Sequence, residues 1–584
     1  MRVRSIAARI RALLLLSFSV FVASCGGGGG SSGGSLTTPS GGGMQSIVIT
    51  VSPATASLAP GGTQQFAANV TGTSNTGVTW SAGGVQGGNS TLGTISSLGL
   101  YTAPASLPNP IGIKIVATSV ADGTTSGTAL ARVHDNVEFQ NSPVKLGTSG
   151  GNFTDKNTIG NMMFCCSGTL GSLVSRSGNF YILSNNHVLG KSDQAALGEP
   201  ISQPGLADTN CGRLPTTTVA TLSQMVPLNS QNNVDAALAM IAGQAVDTTG
   251  SILDLGGIGQ AAPPSATLAI PSARQPVSKS GDATGLTCST IDVVNALIQV
   301  TYSTQCQGGT SFKVNFDNQV SILGNQFSGS GDSGSLIITS DKAQPVALLY
   351  AGSDTGTVGN PIQAVLGALK DPNTGEVPRI VGGTDHSVPC PATTSQSQVS
   401  TIGPQDKTGL PQSEISRATL ARNHRMFELM QDSAVDTVDV GRSADNPDES
   451  AIVVTLRGQT SLPIPAQVDG VRTRIVQSVE FNALHAQARQ VEALSPISET
   501  EIARARSAKQ QHAEELMTNS AIIGVGVGAS NDSPGESAIV VFVEKGKSVA
   551  VPAVIDGVRT RVITTDPFRT FNWGKSTVKA CSRR

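Results

Sequence analysis

The 584-residue chain predicts a multidomain, mainly β protein that closes in a tandem α+β repeat. From about residue 45 to residue 362, short apolar runs alternate with Gly, Pro, Asn and Ser turns and show little helical periodicity. Glycine is abundant (66 residues) and aromatics make up only 4%, which suits short strands joined by long polar loops. Beyond residue 416 a block returns 87 residues later: ESAIVV at 449–454 recurs at 536–541, and DGVRTR at 469–474 recurs at 556–561. The length calls for several domains, and a formal net charge of -2 gives no electrostatic footprint for nucleic acid.

At the N-terminus, Arg2, Arg4, Arg9 and Arg11 precede an apolar run at residues 12–22 that is too short for a comfortable bilayer span. The next residues, Val22-Ala23-Ser24-Cys25, resemble the lipobox of bacterial lipoproteins. That resemblance implies a signal peptide at 1–25 and lipidation of Cys25, hence an exported chain anchored to the cell envelope or cell surface. An ordinary cleaved signal is the other reading. Residues 26–44 form a Gly/Ser linker able to hold the rest away from a membrane.

Residues 45–133 alternate as strands near 46–51, 63–70, 78–82, 113–118 and 129–133. SPATASLAPGGTQQFAANV, VTWSA and GLYTAPA resemble bacterial immunoglobulin-like domains. The resemblance implies a β-sandwich with Trp80 in its inter-sheet core, acting as a spacer.

The chemistry of the chain gathers in residues 134–385. Residues 327–335 read FSGSGDSGS, a serine framed by glycines that permit a tight turn. A serine hydroxyl is a poor nucleophile unless a base sits beside it and amide N–H groups face the developing oxyanion. Upstream, FYILSNNHVL places His187 at the end of an apolar strand, and NVDAAL buries Asp235 among apolar residues, where a carboxylate requires a partner. Asp208, Asp247, Asp254 and Asp282 are rivals without that apolar setting. LSNNHVLG, NVDAALAMI and SGSGDSGSLI together resemble the three catalytic blocks of trypsin-like (chymotrypsin-fold) serine proteases, particularly the bacterial branch in which no cysteine follows the histidine.

That resemblance implies a double β-barrel, with His187 and Asp235 from the first barrel and Ser333 from the second. It implies a triad of these three residues, an oxyanion hole from the amides of Gly331 and Ser333, and a protein or peptide substrate. Phe327, Tyr350, Ala351 and Gly352 fall at substrate-pocket positions. Residues 349–353 resemble the strand that pairs with substrate backbone. Enzymes of this family that cleave after Lys or Arg carry an aspartate where this chain has Phe327, so a small or apolar preference is expected, with Asp354 a complication. No activation site is evident, and Asp332 must find a partner other than a new N-terminus or stay solvated.

An exported chain can form disulfides. Cys288 and Cys306 flank an alternating segment that reads as a hairpin, which makes them the expected pair. One of Cys165 and Cys166 is expected to meet Cys211, and Cys390 with Cys581 could staple the C-terminal region. The histidines show no metal spacing, so neither a metal nor another cofactor is implied.

Residues 386–415 read as a linker rich in Pro, Ser, Thr and Gln. Residues 416–584 form the duplicated α+β module, each copy a helix followed by strands, the two packing on one another in an inhibitory or docking role. Arg472, Arg474, Arg559 and Arg561 are expected on exposed strand faces. The acidic loops at 445–449 and 531–536 are expected to be solvated turns rather than calcium loops. The resulting expectation is an exported serine endopeptidase. Alternatives are a catalytically inactive surface binding protein on the same scaffold, and an α/β-hydrolase esterase, which the order His187, Asp235, Ser333 and the sequence GDSGS disfavour.

Overall fold

The computed structural model describes residues 46–109, 111–229, 231–390, 406–458, 460, 463–478, 497–570 and 581–582. The expected signal segment, Cys25 and the Gly/Ser tether lie outside the described residues. Among the described residues no helix is long and apolar enough to cross a membrane.

Residues 48–133 build small sheets around one core. The largest orders Thr55–Leu58, Ser126–Val133, Gly112–Ser119, Val78–Ala82 and Val85–Gln86. Alternation along Gly112–Ser119 and Ser126–Val133 sends every second side chain inward, onto Trp80, Phe66 and Tyr101. This region packs directly on the region that follows. Ser57 Oγ donates to the Ala283 carbonyl at 2.7 Å, and Arg132 Nη2 donates to the Gln326 carbonyl and side-chain oxygens. His134, wholly buried beneath this contact, has its pKa pushed down to about 4, mainly by burial.

The next sheet orders Gly168–Leu170, Thr148–Asn152, Pro200–Gln203, Thr217–Met225, Ala237–Ile241, Asn179–Ser184, Ser172–Arg176 and Arg379–Ile380. Gly168–Leu170 and Ser172–Arg176 are separated by Gly171 alone, so they are one bent strand and the sheet curls onto itself. A second sheet runs Pro276–Gly281, Leu336–Thr339, Pro345–Gly352, Gly356–Pro361, Ser311–Leu323 and Gly285–Ser303, and the last pairs back with the first to close a ring. Residues 386–390 still belong to this body rather than to a linker: Val388 is buried in its core and Cys390 is bridged.

The C-terminal module is continuous with the second ring. Ile522–Ala529 adds to the outer edge of Gly285–Ser303, and Ser537–Glu544, Val558–Thr565 and Val554–Ile555 extend the same sheet. The strand IIGVGVGA explains why this copy docks. A Cβ on Gly526 would collide with Val293, and one on Gly528 would lie 2.7 Å from the Asp292 carbonyl. The first copy carries Thr437 and Asp439 where the second has Gly524 and Gly526, and its strands Val435–Arg442, Ser450–Leu456, Val471–Gln477 and Gln467–Val468 form a separate sheet.

The two copies interlock by reciprocal exchange, and this corrects two expectations. Arg472 and Arg559 are each 2% exposed rather than on open strand faces. Arg472 donates to the Thr560 carbonyl at 2.5 Å and Arg559 to that of Thr473 at 2.7 Å. Arg561 is also buried, donating to Asp292 at 2.7 Å. The acidic loops are not solvated turns either: Asp532 accepts from Ser443 Oγ and Asp445 from Ser530 Oγ, and both carboxyls are buried.

Three disulfides are present among the described residues: Cys165–Cys211, Cys166–Cys306 and Cys288–Cys390. The first selects Cys165 from the expected alternatives. The other two replace the expected Cys288–Cys306 and Cys390–Cys581 pairs. Gly285–Ser303 is a single strand, so Cys288 and Cys306 lie at its opposite ends, separated by about 50 Å of extended chain.

Burial raises the carboxyl pKa of Asp155 to about 6 and that of Asp254 to about 7, the latter with help from Asp135. Each acid binds its proton more tightly folded than unfolded. The stability it contributes is therefore complete below about pH 3.9 and is lost as pH rises through the folded value. Asp254 sits at φ 63, a conformation asparagine accepts. Asp254→Asn is expected to leave stability near pH 4 unchanged and to raise it at pH 8 by about 1–3 kcal/mol, read by denaturant unfolding.

Candidate active site

His187 lies on the one-turn helix Asn186–Leu189, delivered by the buried end of strand Asn179–Ser184. The two preceding asparagines pin it. Asn185 Nδ2 donates to the Asp235 carbonyl at 2.7 Å, and Asn186 Nδ2 donates to the Val226 carbonyl at 2.7 Å and to Asp193 at 2.6 Å. Asp235 precedes strand Ala237–Ile241, and its amide donates to Asn360 Oδ1 at 2.9 Å. The apolar neighbours Val234, Ala236, Ala237 and Leu238 are buried with it.

The carboxylate meets His187 twice, once at the ring and once at the backbone. His187 Nδ1 is 2.5 Å from Asp235 Oδ2, and the His187 amide donates to Oδ1 at 3.2 Å. A carboxylate can only accept, so Nδ1 carries the imidazole proton and Nε2 is left as an acceptor. Among the described residues Nε2 has no hydrogen-bond partner. Tyr302, which the sequence reading did not single out, donates its hydroxyl to the same Oδ2 at 3.0 Å and packs edge-on to the imidazole. Burial and Asp235 raise the phenol pKa well above its usual value, so it remains a donor. Its signal in the sequence was its place at an inward position of the alternating strand Gly285–Ser303.

Ser333 lies on the turn before strand Leu336–Thr339. Gly331 and Gly334 take φ values of 116° and 96°, which favour glycine, and a Cβ on Gly334 would collide with Ser184 Oγ and the Thr169 carbonyl. Thr169 stitches this turn to the first sheet: its amide donates to the Ser333 carbonyl at 2.8 Å and its hydroxyl to the Gly331 carbonyl at 2.9 Å. Among the described residues, neither the Gly331 nor the Ser333 amide donates to a protein acceptor. The Ser333 hydroxyl donates to the Tyr350 carbonyl at 3.4 Å, a long bond, rather than to His187. His187 and Ser333 are each 1% exposed.

Asp332 is not solvated. Lys279, wholly buried, lies 3.3 Å from Asp332 Oδ2 and also donates to Thr284 Oγ1. The amides of Ala283, Thr284 and Gly329 and the Thr284 hydroxyl donate to the same carboxylate. An internal ammonium therefore supplies the counter-charge of this buried carboxylate.

The residues read as substrate pocket fall as follows. Phe327 is packed in the second core with the Lys279 ammonium 5.9 Å from its ring centroid, and Tyr350 stacks edge-on to Phe316. Ala351 is buried, and Gly352 pairs with a later part of the chain described below. Asp354 binds Lys545 at 2.8 Å. A cavity of about 370 Å³ opens beside Gly331, between residues 328–331, the 282–284 loop and the N-terminal β region. Among the described residues no cluster of His, Cys, Asp and Glu could hold a metal ion.

No protein-family model matches this chain, and no curated protein does. Among solved structures, it is similar to a glutamic acid specific serine protease described as using a novel histidine triad in substrate binding: 19% identity, 38% of this chain and 97% of that one, TM-score 0.27. It is also similar to the chymotrypsin of Cellulomonas bogoriensis, at 16% identity over 38% of this chain and 93% of that one, TM-score 0.24.

Proposed function

We propose that this chain is an exported serine endopeptidase acting through Ser333, His187 and Asp235. The observation that carries the proposal is the state of the imidazole. Asp235 and Tyr302 hold it with Nδ1 protonated, and Nε2 is left with its lone pair uncommitted in a buried site. In the reaction, the serine hydroxyl turns from the Tyr350 carbonyl to Nε2 and attacks a peptide carbonyl while its proton passes to the imidazole. The amides of Gly331 and Ser333 receive the oxyanion. Collapse expels the amine, which takes the proton from Nε2, and leaves an acyl-enzyme on Ser333. Water, deprotonated by the same imidazole, then releases the carboxylic acid. Phe327, Tyr350, Ala351 and Gly352 are assigned to the substrate side of this site, with a small or apolar residue preferred. The three disulfides suit an oxidising compartment, and Cys25 is the proposed lipid anchor.

The second reading, an inactive binding protein, is favoured by one observation: the Ser333 hydroxyl is engaged by a backbone carbonyl, and both it and His187 are buried. A fluorophosphonate probe separates the two. The hydrolase reading expects covalent labelling on Ser333, abolished in Ser333→Ala and in His187→Ala. It fails if the full chain stays unlabelled, both intact and after limited proteolysis.

A further inference from the structure

We propose that residues 568–570 occupy the peptide-binding edge of the candidate active site in cis and keep substrate out. After strand Val558–Thr565 the chain turns at Asp566, whose amide donates to Asp354 Oδ1 at 2.8 Å. It then runs extended between two strands of the second ring. Arg569 forms an antiparallel pair with Gly352: the Gly352 amide donates to the Arg569 carbonyl at 3.0 Å, and the Arg569 amide donates to that of Gly352 at 3.1 Å. On its other side the Thr301 amide donates to the Phe568 carbonyl at 3.0 Å, and the Thr570 amide to the Thr301 carbonyl at 3.4 Å.

Both contacts lead directly to the reacting groups. Gly352 is two residues from Tyr350, whose carbonyl holds the Ser333 hydroxyl, and Thr301 precedes Tyr302, which holds Asp235. Thr570, 2% exposed, shares a small cavity with His187. Upstream, Phe568 is buried against Phe542, so the segment enters the site from a fixed point. An extended peptide adding to a strand edge uses the same backbone donors and acceptors that Arg569 already occupies. A tethered segment competes at an effective concentration in the millimolar range, so a free peptide of ordinary affinity is displaced. The occupant that this edge accepts is therefore an extended peptide backbone, and the resident one belongs to the chain itself. The functional consequence rests on the protease reading.

The test uses full-length variants. Arg569→Pro deletes one donor to Gly352, and Thr570→Pro deletes the donor to Thr301 while leaving Phe568 in place. Arg569→Ala keeps every backbone bond. The two proline variants are expected to label with fluorophosphonate about tenfold faster than the parent, with Arg569→Ala within about twofold of it. A fluorescent peptide copying residues 566–570 is expected to bind the proline variants, read by anisotropy, and not the parent. Equal labelling of parent and both proline variants, with no peptide binding, overturns cis-occupancy and leaves the hydrolase intact. Peptide binding to the proline variants without labelling of any form upholds the occupancy and overturns the hydrolase.

Discussion

Asp235→Asn is expected to slow fluorophosphonate labelling of Ser333 by about 10⁴-fold, in the parent and in the Arg569→Pro background, with little change in melting temperature. The reason lies in the count of donors. Three groups point at this carboxylate: the His187 amide at Oδ1, and the His187 Nδ1 proton and the Tyr302 hydroxyl at Oδ2. Asparagine has one acceptor and one donor end, so whichever way it turns, an NH₂ faces a donor. With the NH₂ at the Oδ2 position, Nδ1 becomes the acceptor and the imidazole proton moves to Nε2. That nitrogen can then no longer take the serine proton. A loss of less than about tenfold would show that Asp235 does not set the tautomer.

Lys279→Met is expected to cost about 3–5 kcal/mol of stability and to lower the labelling rate sharply, because it strands a buried carboxylate with no counter-charge. Asp332 lies between the two proposed oxyanion donors, Gly331 and Ser333, so any shift of its side chain toward solvent moves both amides. Burial, only partly offset by Asp332, lowers the Lys279 pKa to about 8. The ammonium is present below that value and lost above it, so labelling by the parent should fall as pH rises beyond about 8, and Lys279→Met should lack that limb. A variant that labels at the parental rate with an unchanged pH profile would remove Lys279 from the account of the turn.

The positions of the site were legible where local chemistry leaves a local trace. Glycines at 331 and 334 mark left-handed backbone, and apolar flanks mark the burial of Asp235. Asn185 and Asn186, read only as part of a motif, prove to be the pins that hold the imidazole. Two of the three disulfides were not legible, because pairing Cys288 with Cys306 assumed a turn where the chain continues as one long strand. Arg472 and Arg559 look like surface arginines for a similar reason: the surface that buries each one belongs to the other copy of the repeat.

The order His187, Asp235, Ser333, the glycine-framed turn and the 87-residue repeat are properties of the chain written one after another, and any reader of the residues can find them. Which partner each group meets was decided only on folding. Lys279 beside Asp332, the Tyr302 hydroxyl on Asp235, and Arg569 along Gly352 join residues tens to hundreds of positions apart. Such contacts arise from sheet order and packing and impose no periodicity on the sequence, so they become visible only where the strands come together.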